Sequence, residues 1–145
     1  MAAVGMLLVS FVRSTAQEIP TSLPRVVSAS VPIYPRVAPS ARIQGVVTLR
    51  VSTNGKHVVT FDAESGPPLL VKASEENVRT WEFEPHKPTS FAIRFDYKLS
   101  MPLSCYSASS DDYRDSVLLH LPTSVELNAA IPLICDPAVR TEKKN

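Results

Sequence analysis

Residues 77–88 read NVRTWEFEPHKP and hold the chain's only tryptophan, Trp81. A helix-compatible run ends there, glutamates then alternate with aromatic residues, and Pro85 and Pro88 stop the pattern. The placement of Trp81 follows from the residues before it. Leu70, Ala73, Asn77, Val78 and Trp81 recur at helical spacing and form one stripe, while Lys72, Glu75, Glu76 and Arg79 fall outside it. Trp81 therefore closes a buried helix face, and Phe83 continues the packing in extended geometry. Both are expected to be core anchors.

Outward from this junction the pattern stays regular. Ser65-Gly66-Pro67-Pro68 is a helix entry, with a polar capping residue followed by prolines in the first turn. Upstream, Val46–Thr53 alternates, with Val47, Leu49 and Val51 on one face and Thr48, Arg50 and Ser52 on the other. Thr53-Asn54-Gly55-Lys56 is a hairpin signal, because Asn-Gly accommodates positive φ. The return strand spans His57–Glu64. Downstream, Phe91–Leu99 alternates most cleanly. Phe91, Ile93, Phe95, Tyr97 and Leu99 point one way; Ala92, Arg94, Asp96 and Lys98 point the other, as in an antiparallel sheet covered on one side. Phe91, Ile93 and Phe95 join the expected core. A short helix is expected over Tyr34–Ile43.

The flanks differ in composition. Ala2–Val12 is almost wholly apolar, and Ser14-Thr15-Ala16 follows it. Such a run is well short of the roughly 20 residues of a spanning helix but fits the apolar region of a secretory signal, so no stable transmembrane span is expected. Cleavage is placed between Ala16 and Gln17; an uncleaved anchor and a buried helix are the alternatives. Residues 17–30 are Pro/Ser-rich and extended, a linker or a strand laid along the domain. Beyond Pro102 a polar loop leads to SVLLHLP and SVELNAAIPLI, two short strands or a hairpin, and then to a charged tail. In an exported chain, Cys105 and Cys135 suggest one disulfide, with two buried thiols as the alternative.

Composition narrows the function. A net charge of +1 leaves no basic footprint for nucleic acid or anionic lipid. His57, His86 and His120 lie far apart, and Asp111-Asp112 and Glu75-Glu76 suit solvated faces better than paired acids. No phosphate-holding Gly-rich loop, metal-ligand spacing or nucleophile motif is present. The chain is therefore expected to be no enzyme, with no cofactor and no metal site.

The ordered series Tyr34-Pro35, Ala38, Ala41, Gly45-Val46-Val47, Asn54-Gly55-Lys56, Ser65-Gly66, Leu69-Leu70, Val78, Trp81-x-Phe83-x-Pro85 resembles the C-terminal domain of TonB energy transducers, over roughly residues 31–100. The resemblance implies an α+β fold: two helices on a three-stranded antiparallel sheet, here followed by a C-terminal hairpin-like extension. It implies the periplasm and a partner that is an outer-membrane receptor peptide or another envelope protein, bound by strand addition. Phe91–Leu99 is the expected open edge. Ile33, Tyr34 and Pro35 beside it, with Ala92, Arg94, Asp96 and Lys98, are the expected peptide-binding residues. Residues 17–33 reach at most roughly 55–60 Å fully extended, short for bridging a periplasm. The expectation is therefore a free-standing exported domain, divided into a signal at 1–16, linker 17–30, domain 31–100 and extension 101–145. The rival is a structural or assembly protein of the envelope whose sheet edge is covered by its own chain or by a second copy in a homodimer.

Overall fold

The computed structural model describes residues 22–101 and 115–132. The expected signal, the Ala16–Gln17 cleavage point, Cys105, Cys135 and the charged tail lie outside them. No helix among the described residues is long and apolar enough to cross a membrane.

In chain order the elements are β1 (Val26–Ser28), α1 (Val37–Ser40), β2 (Gly45–Thr53), β3 (Val58–Ser65), α2 (Pro68–Val78), β4 (Glu82–Phe83), β5 (Ser90–Ser100), β6 (Ser116–His120) and β7 (Ser124–Ala130). They build a five-stranded sheet in the order β3-β2-β5-β7-β6 and a two-stranded sheet of β1 and β4. The fold is α+β. The expected antiparallel trio is present as β3-β2-β5, but it is not the whole sheet. β7 adds to β5 in parallel and β6 returns antiparallel on β7, which makes the sheet mixed.

The alternation of side chains explains why the strands stack in this way. Val47, Leu49 and Val51 of β2, Phe91, Ile93, Phe95 and Tyr97 of β5, and Val125, Leu127 and Ala129 of β7 are all buried. They form one apolar face on which α2 and Tyr34 close the core. Val125, Leu127 and Ala129 could not be buried if β7 stood apart from β5. The extension therefore completes the core.

The β2–β3 turn is held by Asn54, whose Oδ1 accepts from the backbone amides of Lys56 at 3.0 Å and His57 at 2.9 Å. Gly55 sits at φ +99°, and an added Cβ would lie 2.3 Å from the carbonyl oxygen of His86. Only glycine fits that approach. The Trp-x-Phe-x-Pro stretch runs along this turn: Phe83 N–H donates to the Lys56 carbonyl at 2.8 Å and His86 N–H to that of Gly55 at 3.0 Å. Its other side pairs with β1, with Val26 opposite Phe83.

Two helix expectations shift. The first helix is only Val37–Ser40 rather than Tyr34–Ile43, because Pro35 and Pro39 limit its amide donors and Arg42 turns out of it at φ +55°. In α2, Ser74 is fully buried while Ala73 is only half-buried. The Ser74 hydroxyl donates to the Leu70 carbonyl at 2.9 Å and shares a 2.9 Å bond with the Tyr97 hydroxyl, so a polar residue takes a core position.

Candidate functional site

Trp81 and Phe83 are each 1% exposed. The Trp81 indole N–H donates to Asn77 Oδ1 at 3.0 Å, and Asn77 Nδ2 donates to the Ser30 carbonyl at 2.8 Å. Ser30 N–H in turn donates to the Thr80 hydroxyl at 3.0 Å. The opening motif thus clamps the N-terminal segment onto the end of α2. Helical periodicity placed Asn77 on the buried stripe but carried no signal for this long-range polar link.

The clamped segment runs on to Ile33, Tyr34 and Pro35. Tyr34 is buried, its ring edge-on to Tyr97 at 5.2 Å between centroids, and its hydroxyl donates to the Ile43 carbonyl at 2.8 Å. Burial, reinforced by Tyr97, pushes the Tyr34 hydroxyl up to about 12. Ile33 points the other way and is 77% exposed.

The strand expected to be the open edge, Phe91–Leu99, lies inside the sheet. β5 pairs along Gly45–Ser52 of β2 on one side and, from Arg94 to Ser100, with Ser124–Ala130 of β7 on the other. Arg94 N–H donates to the Thr123 carbonyl at 2.9 Å. The backbone groups expected to receive a partner are therefore occupied by the chain itself from Arg94 onward. The physical reason is the alternation of β7, which can bury its apolar side chains only by lying against β5.

The β5 side chains expected to bind peptide stand on the opposite face from the helices. Ala92, Arg94 and Lys98 are exposed and Asp96 is half-buried. Arg94 and Lys98 approach the Asp96 carboxylate at 3.6 and 3.5 Å, and Lys98 Nζ lies 2.9 Å from Glu126 of β7. Donating a hydrogen bond to Glu126 raises the Lys98 ammonium pKa, and Lys98 in turn lowers that of the Glu126 carboxyl. These residues brace β5 to β7 across a wet face.

The outer edges of the sheet are β3 and β6. β6 reads Ser-Val-Leu-Leu-His, with Leu118 57% exposed and Leu119 43% exposed. Val117 stands opposite Leu127 and Leu119 opposite Val125, which places both on the core face; Leu118 stands opposite Glu126 on the wet face. Beneath β6 a groove of about 220 Å³ is lined by Pro32, Ile33, Tyr34, Val117 and Leu127. Asp115, Ser116 and Asn128 complete the lining with polar groups. Ile33 and Tyr34 thus meet the C-terminal extension, and Pro35, Ala92, Arg94, Asp96 and Lys98 lie outside the groove lining. The SVLLHLP stretch was the available signal for β6, but only packing placed it beside Ile33.

Among the described residues no group of three or more His, Cys, Asp or Glu side chains could hold a metal. What the site offers is hydrogen-bonding backbone next to an apolar hollow, which suits recognition of an extended chain.

Residues 30–99, just under half of the chain, match the family described as Gram-negative bacterial TonB protein C-terminal. The chain is also similar to the solution NMR structure of the Pseudomonas aeruginosa TonB CTD, at 20% identity and a TM-score of 0.45, over 54% of this chain and 88% of that one. No curated protein matches the chain.

Proposed function

We propose that this chain is an exported, periplasmic TonB-like interaction module, without catalytic activity, that receives an extended peptide by strand addition at the outer edge of β6. The partner is the exposed end of an outer-membrane receptor or another envelope protein, in keeping with a family tied to energy-dependent transport. The observation that carries this reading is the character of β6: an outer strand with no charged side chain, exposed leucines on both faces and an apolar groove beneath it. Main-chain pairing supplies the affinity and the groove supplies a side-chain subsite. Tyr34 and Pro35 hold Ile33 at the groove, and the β5 side chains keep β7, and so β6, in place.

The test is amide exchange with an extended receptor peptide. Protection should appear at Val117–Leu119, and N-methylation of alternate peptide amides should abolish it while leaving the peptide's side chains intact. Tight binding that survives N-methylation, or protection confined to β3, overturns strand addition at β6.

Self-coverage of β5 by β7 favours a second reading, an assembly protein of the envelope in which the sheet is a finished structural unit. That reading expects no peptide-induced protection anywhere on the sheet.

A further inference from the structure

We infer that the groove under β6 is the specificity pocket of the proposed strand-addition site, taking one aliphatic side chain of the partner, with a Lys or Arg two positions away set against Asp115. The inference rests on the proposed use of the β6 edge and adds the chemistry of the occupant.

Position comes first. A strand laid beside β6 would alternate its side chains between the two faces of the sheet. Those turned to the core face would descend next to Val117, where the groove opens between Val117, Leu127 and Ile33. Size comes second. At about 220 Å³ the groove is smaller than the roughly 300–1,000 Å³ of small-molecule and cofactor sites, which suits a single side chain. Chemistry comes third. The hollow is apolar, and Ile33 at 77% exposed has apolar surface still to bury.

Charge then selects the neighbour. Asp115 lines the groove, and among the described residues its Oδ1 accepts one long 3.4 Å bond, from Ala130 N–H. Among the described residues it is in no ion pair, whereas Arg94 and Lys98 of β5 are already engaged with Asp96 and Glu126. Asp115 lies two residues from Val117, so an added strand presents its matching side chains two apart on one face. The geometry therefore reads aliphatic-x-cation in one strand direction or cation-x-aliphatic in the other. A second copy of this chain is a poorer occupant. Antiparallel self-pairing about Leu118 would offer an aliphatic side chain, but it would set Leu121 rather than a cation opposite Asp115.

The probes are two fluorescein-labelled heptapeptides, Thr-Thr-Leu-Thr-Lys-Thr-Thr and Thr-Thr-Lys-Thr-Leu-Thr-Thr, read by anisotropy and by amide exchange over Ser116–His120. One of them should bind and protect β6. Replacing its Leu by Ser should weaken binding about tenfold, the scale of one lost apolar burial, and Ile33→Ser in the protein should do the same. Replacing its Lys by Glu, or Asp115→Asn in the protein, should weaken binding about two- to fivefold, as for an exposed pair, and added salt should erase the difference. Ile33 and Asp115 are both exposed, so the variants should keep the parent circular dichroism and melting temperature. Protection of β6 with affinity indifferent to Leu, Lys, Ile33 and Asp115 overturns the pocket and leaves strand addition standing. The pocket falls in the same way if neither heptapeptide binds but a receptor peptide still protects β6. If no peptide protects β6, both fall. Protection that rises with protein concentration alone assigns the edge to a second copy and overturns the inference.

Discussion

β3 and β6 terminate the same sheet, yet they are built for different surroundings. β3 carries Asp62 and Glu64, and Glu64 is held by the Arg50 guanidinium 2.6 Å away on β2. Charges on an outer strand discourage another strand from adding. β6 has no such guard: its side chains are Ser, Val, Leu, Leu and His, and both leucines are exposed. The sheet therefore ends in a charged strand on the side of residues 30–99 and in an uncharged, apolar one on the side the extension supplies. An open strand edge is a liability unless it is covered or used, and the proposed strand addition puts the β6 edge to use.

Breaking the shared centre should abolish both edges together. Trp81 packs against Phe83 and Phe95 with centroids 6.4 Å away in each case. Trp81→Ala should cost about 3–5 kcal/mol in chemical denaturation, with amide protection lost in β3 and β6 alike. A fold that keeps its stability but loses peptide binding would instead make Trp81 a recognition residue.

The next substitution should separate the two sides. Leu127 of β7 stands opposite Val117 of β6 and is 1% exposed. Leu127→Ala should cost about 2–5 kcal/mol, with exchange accelerating first in β6 and β7 while β2 and β3 stay protected. Uniform loss across all five strands would mean that the extension has no separate stability. The complementary change is Gly55→Ala, which forces a Cβ toward the His86 carbonyl at a positive φ. It should cost on the order of 1–3 kcal/mol and loosen the β2–β3 turn and β4, with little effect on β6.

Smaller effects come from titration. The Tyr34 hydroxyl is raised from 10.0 to about 12. A raised folded value means that its contribution to stability is complete below pH 10 and is lost as pH rises toward 12. Tyr34→Phe should flatten the fall of melting temperature in that window; an unchanged slope would mean that other groups set it. The smallest effect concerns Glu126, whose carboxyl Lys98 holds below its ordinary 4.5. A lowered folded value stabilises above the unfolded pKa and fades as pH falls through the folded one. Lys98→Met should reduce that acid sensitivity slightly, with β6 exchange as the more sensitive readout.

Much of this molecule follows from local pattern. The alternation of 46–53 and 91–99, the Asn54-Gly55 turn, the helix entry at Ser65–Pro68 and the stripe ending at Trp81 are short-range signals, because side-chain period and turn stereochemistry are set within a few residues. The ordered motifs from Tyr34 to Pro85 were enough to show the resemblance to the family whose model matches residues 30–99, and SVLLHLP with SVELNAAIPLI reads as two short strands or a hairpin. Alternation states which face of a strand is buried, but it is silent about which strand lies alongside. For that reason Phe91–Leu99 reads as an edge in the sequence and is an inner strand in the fold. The parallel docking of β7, the meeting of Ile33 with Val117 and the link from Asn77 to Ser30 join residues far apart in the chain. Only the tertiary structure decided them. The first two depend on burying Val125, Leu127 and Ala129 on a face that does not exist until β2 and β5 have paired, and the third on laying the N-terminal segment across the end of α2.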